Sequence, residues 1–233
     1  EEILGGQEVF LKYGLMENGT IWGHGAYLGP DFSAEYLHTL GIDTRDHLAK
    51  QYYQRDWPNL SPAERAAIGG EVQQLLKQNR YNPETRALIL TPSEVLSYRG
   101  QIGKWTEYFS QPALNRGLVI NQVKDPQELQ QLTAFFAWTA WASSANRPGQ
   151  TFSYTNNFPY DPTIGNTPSG DAILWSALSL ITLLGGTAVV LFSFGKFNFL
   201  GWKGGGEHIH PQMTPGVAFE SQKGTGKYFV VVA

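Results

Sequence analysis

The run from Ala172 to Gly195 contains no charged residue, and Asp171 and Lys196 bracket it. As one helix, at about 1.5 Å rise per residue, it covers the roughly 30 Å hydrocarbon core of a bilayer. Trp175 and Trp202 fall where aromatic belts would lie. Gly185-Gly186 would let a partner helix approach closely. The alternative is a buried core helix, but such helices rarely run this long without a charge. We therefore expect a transmembrane helix over 172–195.

Upstream, three helix starts share one grammar. Ser61-Pro62-Ala63-Glu64, Thr91-Pro92-Ser93-Glu94 and Asp125-Pro126-Gln127-Glu128 each place a capping oxygen, a proline at the first helical position and an acid in the first turn. The oxygen accepts an orphan N–H, the proline has no N–H to leave unpaired, and the acid complements the helix dipole. Helices follow near 62–79, 92–110 and 126–145. Asp31-Phe32-Ser33-Ala34-Glu35 opens another, expected to end before Gly41. Asp43-Thr44-Arg45-Asp46 opens one more, ending near Trp57-Pro58. Gly6 to Met16 reads as a short helix with Val9, Phe10 and Tyr13 on one side.

Tyr81 to Thr85 followed by Ala87 to Leu90 reads as a small hairpin, and Leu118-Val119-Ile120 as a short strand. Leu132 to Ala142 is rich in Phe and Trp but too short to span a bilayer. It reads as the central core helix, with a docking face against membrane partners as the alternative. Asn, Pro, Gly and Tyr dominate residues 146–170 without a helical period, so an extended linker is expected over 150–171. The expected layout is a soluble domain over 1–149, this linker, the transmembrane helix, a loop over 196–226 and the start of a second transmembrane helix over 227–233. The fold class is mainly α with small β-hairpin additions.

Charge sets the orientation. Lys196, Lys203, Lys223 and Lys227 follow the apolar run, whereas Gln150 to Gly170 has no Lys or Arg. The positive-inside rule places 196–226 in the cytoplasm and the soluble domain outside. The chain has a formal net charge of -3, which offers no basic surface for nucleic acid. It has no cysteine, which excludes disulfides, thiolate metal sites, cysteine catalysis and covalent c-type haem. No secretory signal peptide is visible, and the Glu1 start and the apolar Tyr228 to Ala233 end read as those of a fragment.

Most candidate sites are weak. Glu207, His208 and His210 could bind a metal, but they sit in a Gly-rich stretch with no further ligand at a recognisable spacing. His38 and His47 lie on expected helices and read as surface or satisfied core residues. Asn18-Gly19-Thr20 matches a glycosylation acceptor. No HExxH, GxSxG or P-loop pattern occurs.

One stretch is distinctive: Glu17-Asn18-Gly19-Thr20-Ile21-Trp22-Gly23-His24-Gly25-Ala26-Tyr27-Leu28-Gly29-Pro30-Asp31. It resembles the small cytochrome c subunit of bacterial nitric oxide reductases, in which a CxxCH haem motif is followed by GxGAYxxP. Here Gly23 to Pro30 keeps GxGAYxxP, while CxxCH is absent. That combination looks like the quinol-dependent, single-chain nitric oxide reductase, where a cytochrome c-like domain without haem is fused to the catalytic membrane subunit. Tyr154 to Pro162, Gly165 to Pro168, Leu174 to Ala177 and Phe199 to Gly204 fit the same family. His24 occupies an x position of GxGAYxxP, not that of the CxxCH histidine. Only Met16 and Met213 exist, and neither is placed as an axial ligand. Side chains must then fill the volume a haem would take; Trp22, Tyr27, Phe32, Trp138 and Trp141 are the candidates.

The resemblance implies a parent enzyme that reduces two NO to N2O and water with electrons from quinol. It implies haem b, haem b3 and non-haem iron in membrane helices outside this chain, and a location in the bacterial inner membrane with the soluble domain on the periplasmic side. The expected partners are those catalytic helices, in the same or a partner chain, and membrane lipid. No catalytic residue and no haem site is expected within 1–233. It also implies calcium in the intact enzyme, with the backbone carbonyls of Gly25 and Tyr27 as ligands; a tight turn packing on the membrane domain is the alternative. Two rival readings stay open: an anchored, haem-free module that binds or assembles a partner, and an extracytoplasmic sensor.

Overall fold

Four helices within residues 1–160 start where a side-chain oxygen takes an orphan backbone N–H. Asp31 caps α2 (Phe32–Tyr53) through the Ala34 N–H. Ser61 and Thr91 form capping boxes with Glu64 and Glu94 at the starts of α3 (Pro62–Lys77) and α4 (Pro92–Ser110). Asp125 accepts from the Gln127 and Glu128 N–H groups at the start of α5 (Pro126–Ser144). These bonds belong to a computed structural model, which describes residues 1–198. Glu1–Ala172 form one compact unit, and a second begins at Ile173.

Helix α1 (Glu2–Lys12) has no side-chain cap and is held by packing instead. A Cβ on Gly6 would overlap the Gln131 carbonyl of α5, so only glycine allows this approach. It brings Phe10 to 5.6 Å from Phe135, ring centroid to ring centroid. Helix α5 packs against α1, α2, α3 and α4 and carries the centre of the core. Phe136 stacks on Phe32 at 4.8 Å, and Trp105 meets Phe136 edge-on at 5.0 Å. All three rings are fully buried, and ring pairs in such geometries add to the hydrophobic gain. The expected core role of Leu132 to Ala142 is what this packing displays.

Two two-stranded hairpins complete the unit. In the first, β1 (Thr20–Ile21) pairs with β2 (His24–Gly25); in the second, β3 (Tyr81–Asn82) pairs with β4 (Ala87–Leu88). The protein is thus mainly α with two small hairpins, as expected.

Several boundaries differ from the expectation. Gly41 does not stop a helix: α2 runs unbroken from Phe32 to Tyr53. Gly41 is buried without a positive φ, and a Cβ there would lie 3.3 Å from Ile164 Cγ2, so its small size serves packing. Asp43 caps nothing, because its carboxylate accepts from the Ser97 hydroxyl of α4 at 2.6 Å. The first helix lies earlier than Gly6 to Met16; it ends at Lys12, and after left-handed Gly14 a 3-10 turn covers Leu15–Glu17. Leu118-Val119-Ile120 forms no strand, and Val119 and Ile120 are exposed in a turn.

The expected linker over 150–171 is folded onto the domain. Asn146 bridges Ser153 and Asp161 bridges Asn166 in antiparallel fashion. A 3-10 turn spans Pro162–Ile164, and Ile164 is fully buried. Then α6 (Gly170–Phe197) begins. Its mean hydropathy is 2.1 and none of its apolar window is buried, so it is long and apolar enough to cross a membrane. Nearly all of the expected loop over 196–226 and all of the segment over 227–233 lie outside the described residues.

Candidate functional site

The distinctive stretch folds into a hairpin with a pinned turn, followed by a loop whose tip, Tyr27-Leu28, is open to solvent. Trp22 (φ 52°) and Gly23 (φ 78°) form the two-residue turn between β1 and β2. Positive φ at both central positions matches the right-handed twist of the flanking strands. Gly25 has φ 139°, and a Cβ there would overlap the Gly19 carbonyl oxygen. The motif glycine is therefore required by the close passage of the chain over itself. The Ala26 N–H donates to the Met16 carbonyl at 2.7 Å and closes the loop.

Asp31 joins this hairpin to α2. One carboxylate oxygen accepts from the Ala34 N–H at 2.8 Å and from the Ser33 hydroxyl. The other accepts from the Thr20 hydroxyl at 2.7 Å and the Gly23 N–H at 2.6 Å. The helix cap is also the hairpin clamp. The Trp22 indole N–H reaches the Thr139 carbonyl at 3.1 Å and Ser143 Oγ at 2.9 Å, which pins the turn to α5.

Asn18 makes the second fastening. Its Nδ2 donates to the Asn115 and Arg116 carbonyls, each at 3.2 Å, and its Oδ1 accepts from the Tyr108 hydroxyl at 2.8 Å. The Gly29 N–H donates to its carbonyl. Asn18 is thus buried and saturated, so the glycosylation pattern has no accessible amide here. Burial raises the Tyr108 hydroxyl pKa to about 12, with a small opposing effect of Arg116.

Above these fastenings the tip is bare. Tyr27 is 87% exposed and Leu28 68% exposed. Tyr27 therefore does not fill the core, contrary to expectation, because the chain turns outward after Gly25. Of the other expected fillers, Phe32 is fully buried, while Trp22, Trp138 and Trp141 are half-buried around α5. Phe10, Trp105 and Phe136 carry the centre instead. A cavity of about 430 Å³ opens beside the tip, lined by Leu28, Pro30, Trp105, Tyr108, Leu114 and Arg116.

His24 is exposed on β2. His38 Nδ1 lies 2.8 Å from Asp161 Oδ2, and half-buried His47 sits on α2. Glu207, His208 and His210 lie outside the described residues. Among the described residues no group of three or more His, Asp or Glu side chains could hold a metal. What the hairpin offers a cation is backbone oxygen: Gly25 and Tyr27 are exposed, and among the described residues Tyr27 O accepts no turn or loop hydrogen bond. Carbonyl oxygens suit a hard cation, but calcium takes six to eight oxygens, so two are part of a site. Sequence reasoning missed the double role of Asp31 and the structural role of Asn18. A polar residue on each side of a glycine-rich turn was the available signal.

Two comparisons bear on this geometry. The family model for the NorB cytochrome c-like domain of nitric oxide reductase matches residues 1–160. That range holds α1 to α5 and both hairpins. No curated protein matches the chain.

Proposed function

The chain belongs to the family of the NorB cytochrome c-like domain of nitric oxide reductase, and from that membership we propose that it is the haem-free cap and membrane anchor of a quinol-dependent nitric oxide reductase. The enzyme converts two NO and one quinol into N2O, water and quinone. Haem b, haem b3 and the non-haem iron belong to helices outside this chain, which supplies no catalytic residue. The cap faces the periplasm, and α6 anchors it in the inner membrane.

The observation that carries this reading is a cytochrome c-like domain that has no cysteine and whose centre is packed with aromatic rings. No cysteine is available to attach one, and the Phe32, Trp105 and Phe136 rings occupy the centre of the domain. Interiors are packed as densely as organic crystals, so a haem could enter only by displacing them. An electron relay through this domain is then lacking, and quinol delivers electrons within the membrane. The lysines after α6 support the periplasmic orientation.

The exposed tip is the part of the cap suited to contact the catalytic helices. An aromatic ring with a polar end, on a loop fixed by Asp31 and Asn18, is a typical interface anchor. The Gly25 and Tyr27 carbonyls supply two oxygens to a calcium ion that the intact enzyme completes. The test is Tyr27→Asp in the intact enzyme. The side chain is exposed, so the thermal midpoint of the soluble domain should stay within about 1 °C. NO consumption and bound calcium should fall several-fold. Unchanged activity and calcium would remove this tip from the interface.

A further inference from the structure

Lys77 ends α3, and its ammonium group is turned into the protein. It donates to Asn157 Oδ1 at 3.0 Å and to Asn166 Oδ1. No carboxylate lies within ion-pair distance of it among the described residues. The nearest acid along the partner segment, Asp161, is engaged by His38 and by the Thr163 N–H. Arg147 reaches the Tyr154 carbonyl instead. Half-burying an ammonium group with only amide oxygens for company is unfavourable, and burial alone lowers the Lys77 pKa from 10.5 to about 8. A methionine would fill the same space without that cost, so the bonds made by the charge are what this position provides.

Those bonds organise a segment far away in sequence. Asn157 Oδ1 also accepts from the Ser153 N–H at 3.0 Å, and its Nδ2 donates to the Thr167 carbonyl at 3.0 Å. Asn166 Nδ2 donates to the Ser143 carbonyl at 2.9 Å, at the end of α5, and to the Pro159 carbonyl at 2.8 Å. The Asn146 N–H donates to the Lys77 carbonyl at 2.9 Å. One lysine thus sits where the end of α3, the end of α5 and both limbs of the 153–167 loop converge. The grip ends at Thr167, with Pro168 next, and Ser169 Oγ then accepts from the Ala172 N–H in the first turn of α6. Only Pro168 separates the last clamp bond from the helix cap.

We infer that Lys77 is the pin of a strap, residues 150–169, which it holds on the domain up to the cap of α6. Lys77 is a positioning residue in this role, and the inference rests on the geometry alone, independent of the reductase reading.

The test is hydrogen–deuterium exchange on the full chain in detergent micelles at one fixed pH. In the wild type, amides of 153–167 should exchange at least tenfold more slowly than an unstructured peptide of the same sequence. Lys77→Met should raise exchange there at least tenfold, with α2 and α5 unchanged. If Lys77→Met lowers protection throughout the domain, Asn157→Ala decides by the same criterion, since it removes the Thr167 grip and keeps Asn166. Wild-type exchange at unstructured rates would overturn the inference. So would variants that leave 153–167 as protected as the wild type.

Discussion

Asp31 shows how much one side chain can organise. Its two oxygens take four donors: one from the helix it caps, two from the hairpin, and the Ser33 hydroxyl beside it. Hydrogen bonds to a charged acceptor are stronger than neutral ones, and losing the acceptor leaves the donors unpaired. Asp31→Ala should lower unfolding stability by about 2–4 kcal/mol, combining a lost cap with lost charged hydrogen bonds. Urea titration would report it as a lower midpoint at unchanged slope. The sequence announced Asp31 as a cap, because Asp followed by an acid at the fourth position is a local signal. Its hold on Thr20 and Gly23 was not legible, since that depends on which way the hairpin folds back. Tyr27 was misread for a related reason: aromatic character suggests burial, but the turn after Gly25 decides direction.

At the scale of elements, what was legible followed local chemistry. The α3, α4 and α5 starts sit at the capping motifs of Ser61, Thr91 and Asp125 because those bonds close within four residues. Gly41 failed as a stop signal because a glycine ends a helix by adopting a left-handed conformation, and Gly41 is instead pressed against Ile164 from a distant segment. The loop over 153–167 looked like a linker because its order comes from Lys77, about eighty residues away in the chain. The α1–α5 contact was equally hidden: Gly6 reads as the start of a helix, yet Gly5 and Gly6 lie inside α1 and form its seam with α5. Gly6→Val forces a side chain into the Gln131 backbone, and overpacking of this kind costs about 1–3 kcal/mol. The expected outcome is a thermal midpoint lower by several degrees, measured by circular dichroism, whereas Gly70→Ala on the open side of α3 should leave it unchanged or slightly raised.

The whole compact unit Glu1–Ala172 should show a stability maximum on the alkaline side. Lys77 has a folded-state pKa lowered from 10.5 to about 8. Between those values the unfolded chain binds more protons, so stability rises with pH in that window. Tyr98 and Tyr108 shift the other way. Burial raises both from 10.0 to about 12, with the field of Glu2 adding to Tyr98. Their contribution is complete below pH 10 and is lost as pH climbs through 12. Chemical denaturation at successive pH values should therefore show stability rising from pH 8, peaking near 10 and falling towards 12. In Lys77→Met the rise should disappear and the fall remain.

Taken together, the chain combines a cytochrome c-like domain packed around its own aromatic rings with a helix long and apolar enough to cross a membrane. The central claim is that it caps an enzyme whose electrons arrive without passing through this domain. The most direct measurement is NO consumption by membranes containing the intact protein, driven first by a reduced quinol analogue and then by reduced cytochrome c. The account predicts turnover with quinol, none with cytochrome c, and only b-type haem in the pyridine haemochrome spectrum. Turnover driven by cytochrome c, or a c-type haem band assigned to this chain, would contradict it.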